Sequence, residues 1–371
     1  MTDTPLAPAT VLEQYALQPD SLSELKGGLI NRSFGARGHD GRDYVLQRVN
    51  AIFPPEVQDD IDAVTRHLAA KGLTTPRLVA TAGGARFVVA DGTSWRLLTR
   101  VPGETRETLT QTAEAGEAGR VLGEFHRALA DFPTPLKNRR PPVHELARHL
   151  AFLERTLGAR IAHPAHRAVT ALAERIVGLA GSLPSLPALP PRLVHGDPKL
   201  SNVIFEASED GAGQWIVGSS PEGGGGRMAA PPRAVCLIDL DTLTRIPVAL
   251  ELGDALRSWC NLAAEDSPEA RISVERFAAA LAGYRQGAGP LLTAAEWQAV
   301  PAATLSIAVE LAARFAADAL NESYFGWDDR RFARASEHNL ARSAAQIALA
   351  RSIQVAQPAL EKALPAGDSS S

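Results

Sequence analysis

The first hundred residues break into short apolar stretches of strand character, separated by turn residues. Strands are expected over 33–34 and 43–49, around the turn Gly38-His39-Asp40-Gly41, where Asp and Gly favour reversal. Val57, Ile61, Val64 and Leu68 then recur at steps of four, three and four, which predicts a helix ending near Gly72. Three more strands are expected over 77–81, 85–90 and 94–101. From Pro102-Gly103 onward the rhythm turns helical. Val121, Leu122, Phe125 and Leu129 form one apolar stripe, Leu146, Leu150, Leu153 and Leu157 another, and 171–183 continues in that style. Four prolines between 184 and 192 mark a rigid connector. Residues 206–233 are too rich in Gly, Ser and Pro to build a packed core and read as a flexible hairpin insertion. Residues 273–353 are again helical, and the tail 365–371 reads as disordered. The pattern predicts an α+β chain with a small sheet-bearing lobe (1–101) and a larger, mainly helical lobe (102–364).

Two motifs carry the candidate chemistry. The run Leu193-Val194-His195-Gly196-Asp197-Pro198-Lys199-Leu200-Ser201-Asn202 is followed by Cys236-Leu237-Ile238-Asp239-Leu240-Asp241. Protein kinases meet the needs of phosphoryl transfer with H-R-D-x-x-x-x-N and a later Asp after a strand. The spacing here is the same, with Gly196 in place of the Arg. Apolar residues precede each motif, as short buried strands delivering polar groups to a cleft would require. Asp197 is the candidate base that orients the acceptor hydroxyl. Asn202 and Asp239 offer the oxygen ligands that a hard cation such as Mg2+ wants. Asp241 is a further candidate ligand or a turn-capping Asp. His195 is expected to brace the loop. Lys199 could reach a transferring phosphate as a point charge or stand in solvent.

The run Lys26-Gly27-Gly28-Leu29-Ile30-Asn31-Arg32-Ser33-Phe34 suits a turn over nucleotide phosphates. Gly28 allows close backbone approach, and Asn31 and Ser33 add donors. Kinases follow such a turn with a strand lysine, in V-A-I-K. This chain has Val45-Leu46-Gln47-Arg48, so either Gln47 or Arg48 stands there. Asp60, on the following helix, is the candidate carboxylate partner.

Composition narrows the setting. Net charge is −4, which gives no broad basic surface for nucleic acid or anionic membranes. Two cysteines, Cys236 and Cys260, cannot build a disulfide framework and suit a reducing compartment. The start MTDTPLAPAT lacks the basic and apolar regions of a secretory signal, and no membrane-spanning run is expected. A cytoplasmic location is expected.

The H-G-D-x-x-x-x-N and I-D-x-D pair resembles the aminoglycoside phosphotransferase and choline kinase superfamily. GLINRSF, YVLQRVN, AVTRHL, SWRLLTRVPG, IDLDT, GDALR, RFAADAL with YF shortly after, and HNLARSAAQIAL together resemble its N-acetylhexosamine 1-kinase branch. The resemblance runs over nearly the whole chain, from about Gly28 to Ser352. It implies a protein-kinase-like two-lobed fold with ATP in the cleft, Asp197 as base, and Asn202 and Asp239 on magnesium. It further implies that the linker around Thr99 to Val101 presents backbone groups to adenine. Arg314 and Tyr324 would bind the sugar, while Asp254 and Arg257 would form the floor behind the catalytic loop. The implied activity is ATP-dependent phosphorylation of a sugar hydroxyl, the anomeric hydroxyl of an N-acetylhexosamine or a related sugar. Leu29 stands where the branch often carries a His, and the spacing from Arg314 to Tyr324 is one residue short. Both departures bear on the sugar and leave open an aminoglycoside, choline or homoserine acceptor. The alternative of another class is a catalytically silent nucleotide-binding module.

Overall fold

The computed structural model describes residues 6–25, 30–138, 141, 143–207 and 233–365. Gly28, most of the expected insertion (208–232) and most of the tail (366–371) lie outside the described residues.

Six strands form one antiparallel sheet: β1 (Ser23–Glu24), β2 (Arg32–Arg37), β3 (Asp43–Val49), β4 (Leu78–Val79), β5 (Val88–Ala90) and β6 (Thr93–Thr99). Their order is β1-β2-β3-β6-β4, with β5 also on β6. Gly41, at φ +78°, supplies the left-handed residue of the β2–β3 reversal. The alternation of side chains sorts the sheet's two faces. Phe34, Leu46, Trp95 and Leu97 pack with Val11 and Leu12 of a short helix α1 (Ala9–Gln14), which the apolar pattern did not announce, and with Tyr15 just after it. The other face carries Ser33, Gln47 and Arg96 side by side, because the register pairs Ser33 with Gln47 and Gln47 with Arg96. Helix α2 (Glu56–Ala70) buries Val57, Ile61, Val64 and Leu68, the expected stripe.

The rest is mainly helical: α3 (Thr112–Leu129), α4 (Leu146–Ala159), α5 (His166–Ala180), α6 (Val248–Trp259), α7 (Val274–Ala288), α8 (Ala294–Asn321) and α9 (Ala335–Lys362). The stripe of α2 shares one apolar cluster with Val121, Leu122, Phe125 and Leu129 of α3. Helices α3 and α7 touch backbone to backbone. A Cβ at Gly119 would lie 2.0 Å from the Ala280 carbonyl oxygen, and one at Gly283 would lie 1.9 Å from that of Gly116. Helix α8 is long and apolar enough to cross a bilayer by length and composition alone. Its apolar window is 83% buried inside the fold, so its hydrophobicity is that of a core helix.

Two small ladders emerge from this helical part. Strand β7 (Pro191–Val194) pairs with β10 (Thr244–Pro247), and β8 (Val203–Phe205) pairs with β9 (Ala234–Leu237). Arg192 of β7 is tied by its guanidinium to Glu296, whose carboxylate also accepts from the Thr293 N–H at the start of α8. The ladders thus hold the loops 195–202 and 238–243 side by side.

Candidate active site

The loop after β7 is held by its own side chains and by α6. The Glu251 carboxylate, fully buried, accepts from the backbone N–H of His195 at 2.9 Å and of Gly196 at 3.0 Å. His195 donates from Nε2 to the Ile238 carbonyl at 2.8 Å, which leaves Nδ1 to accept from the Asp197 N–H at 3.3 Å. That histidine is the expected brace, and it joins the two motifs. Thr242 Oγ1 donates to the His195 carbonyl, Trp259 Nε1 to that of Pro198, and Ser258 Oγ accepts from the Leu200 N–H. Gly196 has φ +86°, and a Cβ there would fall 2.1 Å from the Thr242 carbonyl oxygen. The backbone of the second loop therefore excludes the arginine found at this place in protein kinases.

On this frame Asp197 sits with its side chain a quarter exposed. Burial works against its charge, but Lys199 and Arg257 outweigh that and hold its carboxyl below the usual range. Lys199 Nζ lies 3.1 Å from Asp197 Oδ2. Asp197, together with Asp239, keeps the lysine protonated against its own burial. Asn202 spends its amide nitrogen on the Asp197 carbonyl at 2.8 Å and on Oδ2 at 3.3 Å. The amide oxygen is its remaining ligand atom for a cation. Asp239 enters the second loop in the left-handed region, at φ 67° and ψ 57°. Burial and the neighbouring Asp241 push its carboxyl up to about 7, the mark of an anion short of positive charge.

Several expected site residues fall elsewhere. Asp241 is not open to a cation: Arg96 Nη1 donates to its Oδ1 at 2.6 Å and Arg96 Nη2 to its Oδ2 at 2.7 Å. Asn31 Nδ2 donates to the same Oδ2 at 2.7 Å, and the Asn31 amide oxygen accepts from the Asn50 N–H, so Asn31 is engaged inward rather than on phosphate. Ser33 Oγ accepts from Gln47 Nε2 at 3.0 Å. The choice between Gln47 and Arg48 is decided by alternation. Gln47 shares a face with Ser33 and Arg96, whereas Arg48 is exposed opposite Trp95 on the outer face. Asp60 accepts from the Lys137 and Asn138 N–H groups and anchors a loop, with no hydrogen bond to Gln47 or Arg48 among the described residues. Thr99 commits its N–H to the Arg77 carbonyl and its hydroxyl to the Arg77 N–H, so it is woven into the sheet. Val101 lies just beyond β6, half-buried.

Arg314 and Tyr324 do come together, with the guanidinium 5.7 Å from the Tyr324 ring centre and 5.4 Å from that of Phe325. Arg314 approaches Glu310 at 4.0 Å, while Asp318 instead accepts from the N–H groups of Ser323, Tyr324 and Phe325 and from Asn339. Glu310 also bonds the buried His144 at 3.0 Å, and Asp254 lies 3.8 Å from the far side of that ring. Asp254 and Arg257, expected as parts of the floor behind the loop, form a buried pair that extends to Glu265. Glu251, Arg96, Gln58 and His144 were not singled out from the sequence. A buried polar position on an apolar stripe was the available signal for Glu251 and Gln58.

The family model described as the phosphotransferase enzyme family (APH) matches residues 21–215. An aminoglycoside phosphotransferase from Alicyclobacillus acidocaldarius superposes with a TM-score of 0.58, covering 96% of this chain and 98% of its own at 16% identity. A microcompartment-associated aminopropanol kinase gives 0.57, 94% and 96% at 17% identity. The amicoumacin kinase hAmiN, solved with AMP-PNP and Ca2+, gives 0.57, 91% and 91% at 15%. At these identities the likeness is one of fold: the small antiparallel sheet and helical remainder are those of kinase-like phosphotransferases.

Proposed function

We propose that this chain, which belongs to the phosphotransferase enzyme family, transfers the γ-phosphoryl group of ATP to a sugar hydroxyl, with Asp197 as the base. The acceptor favoured is the anomeric hydroxyl of an N-acetylhexosamine or related sugar. The observation that carries the reading is the loop 195–202, where Asp197, Lys199 and Asn202 are tied to one another beside the Asp239 turn. Residues 1–101 would serve the nucleotide and 102–364 the acceptor.

Asp197 would accept a hydrogen bond from the acceptor hydroxyl and aim its oxygen at the phosphorus. The transition state is loose, so aim matters more than base strength. Lys199 keeps Asp197 ionised and offers a cation beside the phosphoryl group. The donor set of Asn202 and Asp239 suits Mg2+: one neutral and one charged oxygen ligand, the latter short of positive charge. Such an ion, when bound, neutralises charge on the phosphate oxygens. Arg314, against the Tyr324 ring, would meet hydroxyl or acetamido oxygens of the sugar.

The test is ATP turnover with magnesium against a panel of hexosamines, other sugars, amino alcohols, aminoglycosides and homoserine. The similar solved structures include an aminopropanol kinase and an aminoglycoside phosphotransferase, which makes the non-sugar arms necessary. Turnover confined to amino alcohols or aminoglycosides would overturn the sugar reading and keep the kinase.

A further inference from the structure

We propose that Arg96 is the positioning cation of the nucleotide cleft: from β6 it supplies the sheet's half of the ion pair that a strand lysine makes in protein kinases, acting through Asp241 to hold the Asp239 turn. The inference rests on the proposed function, since it concerns how that site takes ATP with a divalent cation.

In protein kinases a lysine on the third strand pairs with a carboxylate on the following helix, and that pair must be in place for phosphoryl transfer. Here both partners are changed. The strand position is the neutral Gln47, and its neighbour Arg48 stands exposed on the far face. The cation has moved one strand over. Gln47 is paired in register with Arg96, whose Nε donates to Gln47 Oε1 at 2.8 Å. The helix α2 contributes Gln58 rather than a carboxylate, accepting from Arg96 Nη1 at 3.2 Å. The carboxylate comes instead from the metal-motif turn, where Asp241 receives two parallel bonds from the guanidinium. Asn31, from the run expected to turn over phosphates, closes the cluster by donating to Asp241 Oδ2.

One guanidinium therefore ties β3, β6, α2 and the 240–242 turn together. Arg96 is 1% exposed and Asp241 2%, so each charge has lost its water. A buried ion pair of this kind adds little to stability compared with well-packed neutral side chains. Its geometric consequence is larger. Asp239 lies two residues before Asp241, in the left-handed region, which Asp tolerates better than most non-glycine residues but still at some cost. Clamping Asp241 from the sheet fixes that turn.

The test measures binding of AMP-PNP by calorimetry with and without magnesium chloride, which needs no knowledge of the acceptor. The first variant is Arg96→Met/Asp241→Asn, which removes both charges and keeps an acceptor for Asn31. The second is Arg96→Lys, which keeps the charge and loses the two-pronged fork. The double variant is expected to melt near the wild type, and Arg96→Lys below it, because a buried ammonium leaves part of the fork's acceptors unpaired. In the double variant the tightening of AMP-PNP by magnesium should shrink at least about tenfold, the scale of a lost charged contact. Arg96→Lys should give a smaller shrinkage in the same direction. Unaltered magnesium tightening in either folded variant would overturn the positioning role and leave the kinase reading standing. A wild type that binds no AMP-PNP at any magnesium concentration would overturn that reading and this inference with it. If the double variant does not fold, Arg96→Lys decides.

Discussion

Replacing Glu251 separates the frame of the candidate catalytic loop from its proposed chemistry. This carboxylate has no solvent exposure and receives the backbone N–H groups of His195 and Gly196, at 2.9 and 3.0 Å. In Glu251→Ala both N–H groups lose a charged acceptor where water does not reach. Hydrogen bonds to charged groups contribute about 1.5–3 kcal/mol each, so the pair amounts to roughly 3–6 kcal/mol. A chain of 371 residues has an unfolding entropy of about 0.8 kcal/mol/K, on the scale of about 2.1 cal/mol/K per residue. The melting midpoint should fall by about 4–8 °C on that slope. Glu251→Gln keeps one acceptor oxygen and turns an amide N–H2 toward the other backbone donor, so about half the loss is expected.

The kinetic effect should exceed the stability effect. Gly196 precedes Asp197, and a displacement of about 1 Å at a reacting group can cost on the order of a hundredfold. Turnover in folded Glu251→Gln should drop at least about tenfold, with nucleotide affinity nearly unchanged. Differential scanning calorimetry gives the first quantity, and steady-state kinetics on the acceptor found by the panel gives the second. A Gln variant that melts within about 1 °C of the wild type and turns over normally would refute the argument.

Three further outcomes are expected. Asp197→Asn should keep AMP-PNP binding and lower turnover at least about a hundredfold, the scale of a lost positioned base; turnover close to normal would remove Asp197 from that role. Arg314→Ala should raise the Michaelis constant for the acceptor far more than that for ATP, and equal effects on both would mark Arg314 as a structural partner of Glu310. Burial disfavours a charged His144, yet Glu310 and Asp254 overcome this and raise its pKa above the ordinary 6.5, with Arg314 opposing. A raised folded value means that this stabilisation is complete below about pH 6.5 and fades as pH rises through the folded pKa. The wild-type melting midpoint should therefore decline more steeply above that pH than the midpoint of His144→Gln, and parallel curves would contradict it.

What could be read from the sequence follows physical range. The stripe of α2 and the strand β3 depend on neighbours within one turn or one pleat, and both stand where the pattern put them. The loop motif is legible for the same reason, since Asp197, Lys199 and Asn202 are bonded within five residues of one another. Elements whose burial comes from distant partners were harder to see. Helix α1 is six residues long and is fixed by packing on Phe34 and Trp95. Glu251 lies 55 and 56 positions from the N–H groups it binds; its place on the apolar stripe of α6 signals burial, but nothing local names those partners.

The residues expected on the nucleotide side show most clearly why position along the chain misleads. A scan for the strand lysine stops at Gln47 and Arg48, one neutral and the other on the outer face. The charge is 49 residues on, at Arg96, and only the register of β3 against β6 sets it beside Gln47. A sheet lets a function pass between neighbouring strands without altering the space it occupies, because cross-strand pairs are about as close as residues along one face. The same transfer accounts for Asp241. Once the cation sits on β6 and α2 offers only Gln58, the compensating carboxylate has to come from the opposite wall. Asp241 is then drawn inward from the cation-binding set, and Asn202 and Asp239 remain its two candidate ligands.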